Sequence, residues 1–245
     1  MITSLNNKIV KHIRKLSNAN YSKKSDDFMI EGFTMLDEAI RSGSEIVDVI
    51  SSEEFEDRLL CDYNIEPVVV SEDIIKKLSQ TVSGRELIAI VKKKNGNNIF
   101  SDFIIYLEDI SDPGNLGTII RTADAFGIKD VAVSENSVDF YNDKVIRSSM
   151  GSIFRVNLNK INLDNIAELQ KEGYSLIATL PHGDTKRTVN GKCILAFGNE
   201  SKGLSTDLIN MANNRFTIPM HGGAESLNIG VAAGISMYVF MEVKC

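Results

Sequence analysis

Phe216-Thr-Ile-Pro-Met-His-Gly-Gly-Ala-Glu-Ser-Leu-Asn-Ile-Gly-Val-Ala-Ala-Gly-Ile-Ser-Met-Tyr-Val-Phe240 passes from an apolar run through a glycine-rich loop into a helix of small residues. Phe216 to Ile218 is a short apolar run suited to a buried strand end. Pro219 to Gly223 continues neither a strand nor a helix, because proline lacks a donor and paired glycines cost entropy. From Ser226 the pattern turns helical, with Leu227, Val231, Gly234 or Ile235, and Tyr238 spaced by three and four. Ser226 reads as the N-cap and Asn228 as a first-turn residue. A loop with free backbone N–H groups thus feeds a helix start, a geometry that holds a small polar ligand. Gly230, Ala232, Ala233 and Gly234 leave one helix face nearly bare, so another helix, a second subunit or a threaded segment must approach it closely.

The chain has 245 residues, 43% of them hydrophobic and 24% charged, the balance of an ordinary globular protein. Cys61, Cys193 and Cys245 are odd in number and lack metal spacing, which points to a reducing compartment rather than a disulfide framework. The first residues lack a signal-peptide core, and the run Ile229 to Met241 is too short and interrupted to span a bilayer. These features predict a cytoplasmic protein. The net charge of −6 disfavours a generic nucleic-acid binder. The charge is uneven, however: Lys8, Lys11, Arg14, Lys15, Lys23 and Lys24 stand in residues 1–25 without an acid, and Lys92 to Lys94 form a second basic run. Each basic run is a solvated face or a phosphate-contacting patch.

Two halves follow from the order of elements. The first predicts an amphipathic helix over 4–16, a mobile polar loop over 17–26, and strands at 28–30, 46–50, 67–70 and 87–91. Helices are predicted between these strands over 34–41, 53–61 and 72–78. Lys92 to Ser101 carries a turn signal and is the best linker. The second half predicts strands at 103–107, 131–133, 175–179 and 194–197, and helices over 118–126, 144–150 and 162–172. The βα alternation implies a parallel sheet. Three loops stand at the carboxyl ends of its apolar strands, 109–117, 198–204 and 219–226, where ligands gather in open α/β sheets. None has the spacing of a dinucleotide fingerprint or a P-loop, and no metal-ligand cluster appears. Their polar residues are Asn115, Arg121, Glu200, Ser226 and Asn228. Each has an inexpensive structural role: Asn115 and Ser226 as helix caps, Glu200 as the partner of Arg121.

Taken together, Asn115-Leu-Gly-Thr-Ile-Ile-Arg121-Thr-Ala, Gly198-Asn-Glu-Ser-Lys-Gly-Leu204 and Ile218-Pro-Met…Glu225-Ser-Leu-Asn-Ile-Gly-Val-Ala closely resemble the three motifs of the SpoU family of RNA ribose 2′-O-methyltransferases, within the SPOUT superfamily. The match runs over 103–241 in order and spacing. Gly230 stands where many relatives carry serine. Residues 1–98 resemble that family's substrate-binding domain through Phe28-Met-Ile-Glu31-Gly32 and a ribosomal-protein-like α/β pattern. The resemblance implies an RNA substrate-binding domain over 1–98 and a SpoU-type methyltransferase domain over 99–245, the latter a parallel sheet with a trefoil knot. It further implies a homodimer that uses S-adenosylmethionine, with Gly198, Ile218 and Leu227 at the cofactor and Asn115, Arg121, Glu200, Ser226 and Asn228 at the reacting centre. The implied substrate is large-subunit ribosomal RNA; the alternatives are tRNA or a catalytically silent RNA-binding protein on the same scaffold.

Overall fold

The structure is a computed structural model that describes residues 2–80, 86–94, 96–97, 99–185 and 191–244. The chain divides into two units: Met1–Lys94 with Tyr141–Phe154, and Asn95–Phe140 with Arg155–Cys245. The second segment of the first unit lies far along the chain, where no shift in composition marks it.

In the first unit the elements are α1 (Lys8–Leu16), α2 (Ala19–Lys24), β1 (Asp27–Glu31), α3 (Phe33–Arg41), β2 (Ile46–Ser51), α4 (Glu56–Tyr63), β3 (Val68–Val69), α5 (Glu72–Leu78) and β4 (Leu87–Lys92). The sheet order is β1-β4-β2-β3, with β4 antiparallel to both neighbours and β2 parallel to β3. Val10, Ile13 and Leu16 of α1 and Ile74, Ile75 and Leu78 of α5 bury against Met29, Ile50, Ile88 and Ile90. Their spacing of three and four is what selects a helix here. Residues 17–26 are not the expected loop. Asn18 Oδ1 accepts from the backbone N–H groups of Asn20 and Tyr21, and this cap starts α2. The Lys92–Lys94 run is committed inside the unit. Lys92 Nζ lies 2.9 Å from Asp27, Lys93 Nζ donates to the Ser22 carbonyl at 2.6 Å, and Lys94 Nζ donates to the Phe154 carbonyl at 3.2 Å. The Tyr141 and Phe154 rings lie 4.6 and 6.1 Å from Phe28, which ties the second segment to β1.

The second unit contains β5 (Phe103–Leu107), α6 (Pro113–Ala125), β6 (Asp130–Val133), β7 (Asn157–Lys160), α8 (Leu163–Lys171), β8 (Ser175–Asp184), β9 (Cys193–Phe197), α9 (Thr206–Met211), β10 (Asn214–Phe216) and α10 (Ile229–Lys244). The helix α7 (Asp143–Ser149) belongs to the first unit. All six strands are parallel, in the order β10-β8-β9-β5-β6-β7. Every residue of β5 and β9 is buried, as continuous apolar strands of a doubly covered sheet should be. From β5 the chain moves outward to β7, then returns to pair β9 on β5's other edge. The carboxyl ends of β5 and β9 are therefore a topological switch point, where open α/β sheets place their ligands. Among the described residues no helix is long and apolar enough to cross a membrane.

Two boundaries differ from the sequence reading in ways that matter for the site. The helix after β5 begins at Pro113, not Thr118. Asp112 caps it by accepting from the Asn115 backbone N–H at 2.8 Å, and Pro113 stands at the first helical position. The last helix begins at Ile229, and its cap is Asn228 rather than Ser226. Asn228 Oδ1 accepts from the backbone N–H groups of Gly230 at 2.9 Å and Val231 at 3.3 Å.

Candidate active site

The loop leaving β5 is shaped by Asp109, whose φ of 54° is unusual for a residue with a side chain. Its backbone N–H donates to Ser134 Oγ at 2.8 Å, and Ser134 Oγ donates back to its carboxylate at 2.6 Å. Asn199 Nδ2 donates to the Asp109 carbonyl at 2.8 Å, joining this loop to the one leaving β9. That second loop closes on itself through paired backbone bonds between Asn199 and Gly203. The closure is so tight that a Cβ on Gly198 would lie 2.1 Å from backbone atoms of Gly203 and Leu204. Only glycine fits there.

Glu200 is presented by this closed loop to the N-terminus of α6. Its carboxylate accepts from Ser111 Oγ at 3.0 Å, Asn115 Nδ2 at 3.2 Å, the Asp112 backbone N–H at 3.3 Å and the Ser111 backbone N–H at 3.4 Å. Burial alone would raise the Glu200 pKa. The hydrogen bonds from its own backbone, Asn115, Ser111 and Asp112 outweigh burial and hold the carboxyl below its ordinary value. The positive end of the α6 dipole favours the same charge. Asn115 in turn accepts from Asn228 Nδ2 at 3.1 Å. The three motifs thus meet in one relay, Glu200–Asn115–Asn228, which fixes the orientation of the Asn115 amide.

The relay stands at the rim of a cleft of ≈ 660 Å³. Gly198, Glu200, Ile218, Ser226, Leu227 and Asn228 all line it. Its volume is that of a site for a nucleoside-sized ligand. Two expected residues do not line it. Asn115 is held beside it by Glu200 and Asn228, whereas Arg121 is exposed on α6 and its side chain has no hydrogen-bond or ion-pair partner among the described residues. The expected Arg121–Glu200 pairing is not formed, because the α6 N-terminus already holds the carboxylate. Residues missed in the sequence include Thr179 and Thr217, which line the cleft, and Asp112, which sets the position of Asn115. The Thr179 hydroxyl is buried without a hydrogen-bond partner. Asp112 was legible as an acid before a proline, a standard helix-start pair; the threonines carry no such signal. Among the described residues no group of three or more His, Cys, Asp or Glu is placed to hold a metal ion.

Comparison with known proteins gives concordant results. Residues 102–238 match the model of the SpoU rRNA Methylase family, and residues 7–89 match the MRM3-like substrate binding domain. The chain is 30% identical over 241 residues to the Bacillus subtilis 23S rRNA (guanosine(2553)-2′-O)-methyltransferase, covering 97% of both proteins. It is 27% identical over 258 residues to the Streptomyces viridochromogenes 23S rRNA (uridine(2479)-2′-O)-methyltransferase, covering 97% of this chain and 90% of the relative. The crystal structure of an AdoMet-bound rRNA methyltransferase from Sinorhizobium meliloti superposes with a TM-score of 0.88 at 28% identity, covering 98% of this chain and 97% of that one.

Proposed function

The chain belongs to the SpoU rRNA methylase family, and on that premise we infer that it is an S-adenosylmethionine-dependent methyltransferase of RNA ribose 2′-hydroxyls, acting on large-subunit ribosomal RNA. The observation that carries this reading is the Glu200–Asn115–Asn228 relay at the rim of the cleft between the strand ends. The full-length relatives named for 23S rRNA support the substrate class. The first unit, Met1–Lys94 with Tyr141–Phe154, is then the RNA-binding one in place of the expected 1–98, and the second unit is the catalytic one in place of the expected 99–245.

The cleft suits the cofactor. Its volume is adequate, Gly198 lets the loop 198–204 close into one of its walls, and the Thr179 hydroxyl is an orphan beside it. Gly198, Ile218 and Leu227 would hold S-adenosylmethionine, which supplies a methyl group already activated by the sulfonium charge. What remains for the protein is the hydroxyl, a poor nucleophile while protonated. Asn115, locked by Glu200 and Asn228, orients the ribose, and Ser226 adds a hydroxyl to the same rim. Arg121 is not a base, because guanidinium stays protonated in proteins. It would bind the flanking phosphate and stabilise the charge developing on the 2′ oxygen as that oxygen gives up its proton to solvent.

Because Arg121 lies outside the cleft of its own chain, a second copy is the arrangement that supplies it without moving α6. Val231, Ile235 and Tyr238 stand exposed at helical spacing on α10, 52, 38 and 51% accessible, and α10 packs on α6, which carries Arg121. A homodimer through this face would cover the apolar stripe and deliver Arg121 to the partner's cleft. The trefoil knot belongs to the same reading, as what membership of this family implies.

The test measures methyl transfer from tritiated S-adenosylmethionine to ribosomal RNA, and cofactor binding by calorimetry. Arg121→Ala should lose roughly 100-fold or more of transfer while cofactor affinity stays close to wild type. Arg121→Lys should rescue poorly, since an ammonium lacks the guanidinium fork. Near-normal transfer by the alanine variant would remove Arg121 from the mechanism. Failure of the wild type to bind the cofactor would overturn the whole reading.

A further inference from the structure

Six cations stand in residues 1–25 of a chain whose net charge is −6. Lys8, Lys11, Arg14 and Lys15 are exposed on α1, whose other face is buried through Val10, Ile13 and Leu16. Lys23 and Lys24 are exposed at the end of α2. Among the described residues none of the six pairs with a carboxylate. The neighbouring Asp27 is taken by Lys92 at 2.9 Å and faces His12 Nε2 at 3.6 Å. This distinguishes the patch from Lys92–Lys94, whose ammonium groups are spent on contacts within the unit. A row of unneutralised cations on an acidic protein raises the local concentration of a polyanion.

An aromatic side chain stands among them. Tyr21 is 39% exposed, the Lys15 ammonium lies 5.7 Å from its ring centroid, and the His12 ring stands edge-on at 6.3 Å and 84°. The helix that carries it is anchored at both ends, by the Asn18 cap and by Lys93 Nζ on the Ser22 carbonyl. Cations alone would serve a duplex and a single strand equally. A positioned, exposed aromatic among cations favours the single strand, because only unpaired bases offer their faces for stacking.

We propose that the α1–α2 face is a docking surface for a single-stranded stretch of RNA, with phosphates on Lys8, Lys11, Arg14 and Lys15 and one base stacked on Tyr21. This rests on the RNA methyltransferase reading and extends it to a specific surface of the first unit. The experiment is fluorescence anisotropy on the full-length protein, with an end-labelled oligoadenylate of about 12 nucleotides, within the usual single-strand site size. An RNA hairpin duplex serves as the comparison. Tyr21→Leu should weaken single-strand binding about tenfold, the scale of one lost base stack, and leave the salt dependence unchanged. Tyr21→Phe should bind like wild type. Replacing Lys11 and Lys15 together by Gln should lower the slope of log affinity against log salt by roughly 1.4, or about 0.7 per phosphate contact. Duplex binding should not respond to Tyr21→Leu. Calorimetry with S-adenosylmethionine should give the wild-type affinity for every variant, which separates surface effects from misfolding. Wild-type single-strand affinity in Tyr21→Leu, or an equal loss on the duplex, overturns the stacking site. An unaltered salt slope in the lysine variant overturns the surface. Either result leaves the methyltransferase reading standing, because that reading is judged by cofactor binding and methyl transfer.

Discussion

Glu200 is an exposed carboxylate whose acceptors are nevertheless filled by donors from one helix start. Its ionised form is the one these donors favour, so its folded pKa lies below the ordinary value of 4.5. A carboxyl depressed by folding contributes stability above its unfolded pKa and loses that contribution as the pH falls through the folded one. The difference in melting temperature between the wild type and Glu200→Gln should therefore be constant at neutral pH. It should start to shrink below about pH 4.5 and vanish in stronger acid. A difference that grew on acidification would contradict this assignment of donors. Gly198 makes a steric counterpart. A methyl group there meets the backbone of Gly203 and Leu204 at 2.1 Å, and backbone does not yield as a flexible side chain does. Gly198→Ala should cost about 1–3 kcal/mol, the usual scale of overpacking. It should also weaken S-adenosylmethionine binding, since the wall that moves is the cleft wall. Unchanged melting and calorimetry would show that the loop relaxes freely.

At the level of elements, the site depends on where two helices begin. Asn228 is both the cap of α10 and the donor to Asn115, and substitution separates the two tasks. Asn228→Ala removes both and should cost about 1 kcal/mol of stability. That amounts to a fall of roughly 2–4 °C for a chain of this size. Asn228→Asp keeps a capping oxygen and should melt near the wild type, yet lose methyl transfer, because Asn115 then faces two carboxylates with one amide. Equal activity in the Asp variant would show that the relay is not needed. The sequence located these motifs correctly but misplaced their frame. Periodicity finds the apolar face of a helix and is blind to its first turn, where few side chains are buried; the first turn was written instead in Asp112-Pro113 and in Asn228. The error at 17–26 has the same origin. A short helix held by the Asn18 cap and a lysine on a carbonyl has no buried residue to give it a period.

The continuous apolar run at 103–107 foretold a strand buried in a parallel sheet. Of the three loops expected at the strand ends, 198–204 and 219–226 contribute to the cleft lining; 109–117 reaches it only through the bonds from Ser111, Asp112 and Asn115 to Glu200, and Thr179, Leu180 and Pro181 of β8 line it instead. Strand order is not written in any run: the return of β9 to the edge of β5 is a long-range pairing. The small residues at 230–234 illustrate the ambiguity. A Cβ on Gly234 would meet only Thr122 Cγ2, at an ordinary 3.6 Å, while one on Gly230 would crowd Asn228 at 3.2 Å. The α6 side chains Thr118 and Thr122 would stand at ordinary contact distances from a Cβ at these two positions, 3.5 and 3.6 Å, and the one crowded contact is with Asn228 itself. The outward side of α10 carries the apolar stripe Val231, Ile235 and Tyr238. If two chains meet there, Ile235→Glu with Tyr238→Glu places like charges face to face in a desolvated contact. Loss of a fully desolvated apolar contact and burial of unpaired charge are both strongly unfavourable. Sedimentation equilibrium should show the wild type as a dimer and the double variant as a monomer. Since both side chains are exposed within one chain, the monomer should keep its fold and much of its cofactor affinity. Methyl transfer should fall nearly as far as in Arg121→Ala, because each cleft would lose the partner's arginine. A monomeric wild type, or a double variant that is monomeric and fully active, would mean that Arg121 reaches the cleft of its own chain by a movement of α6.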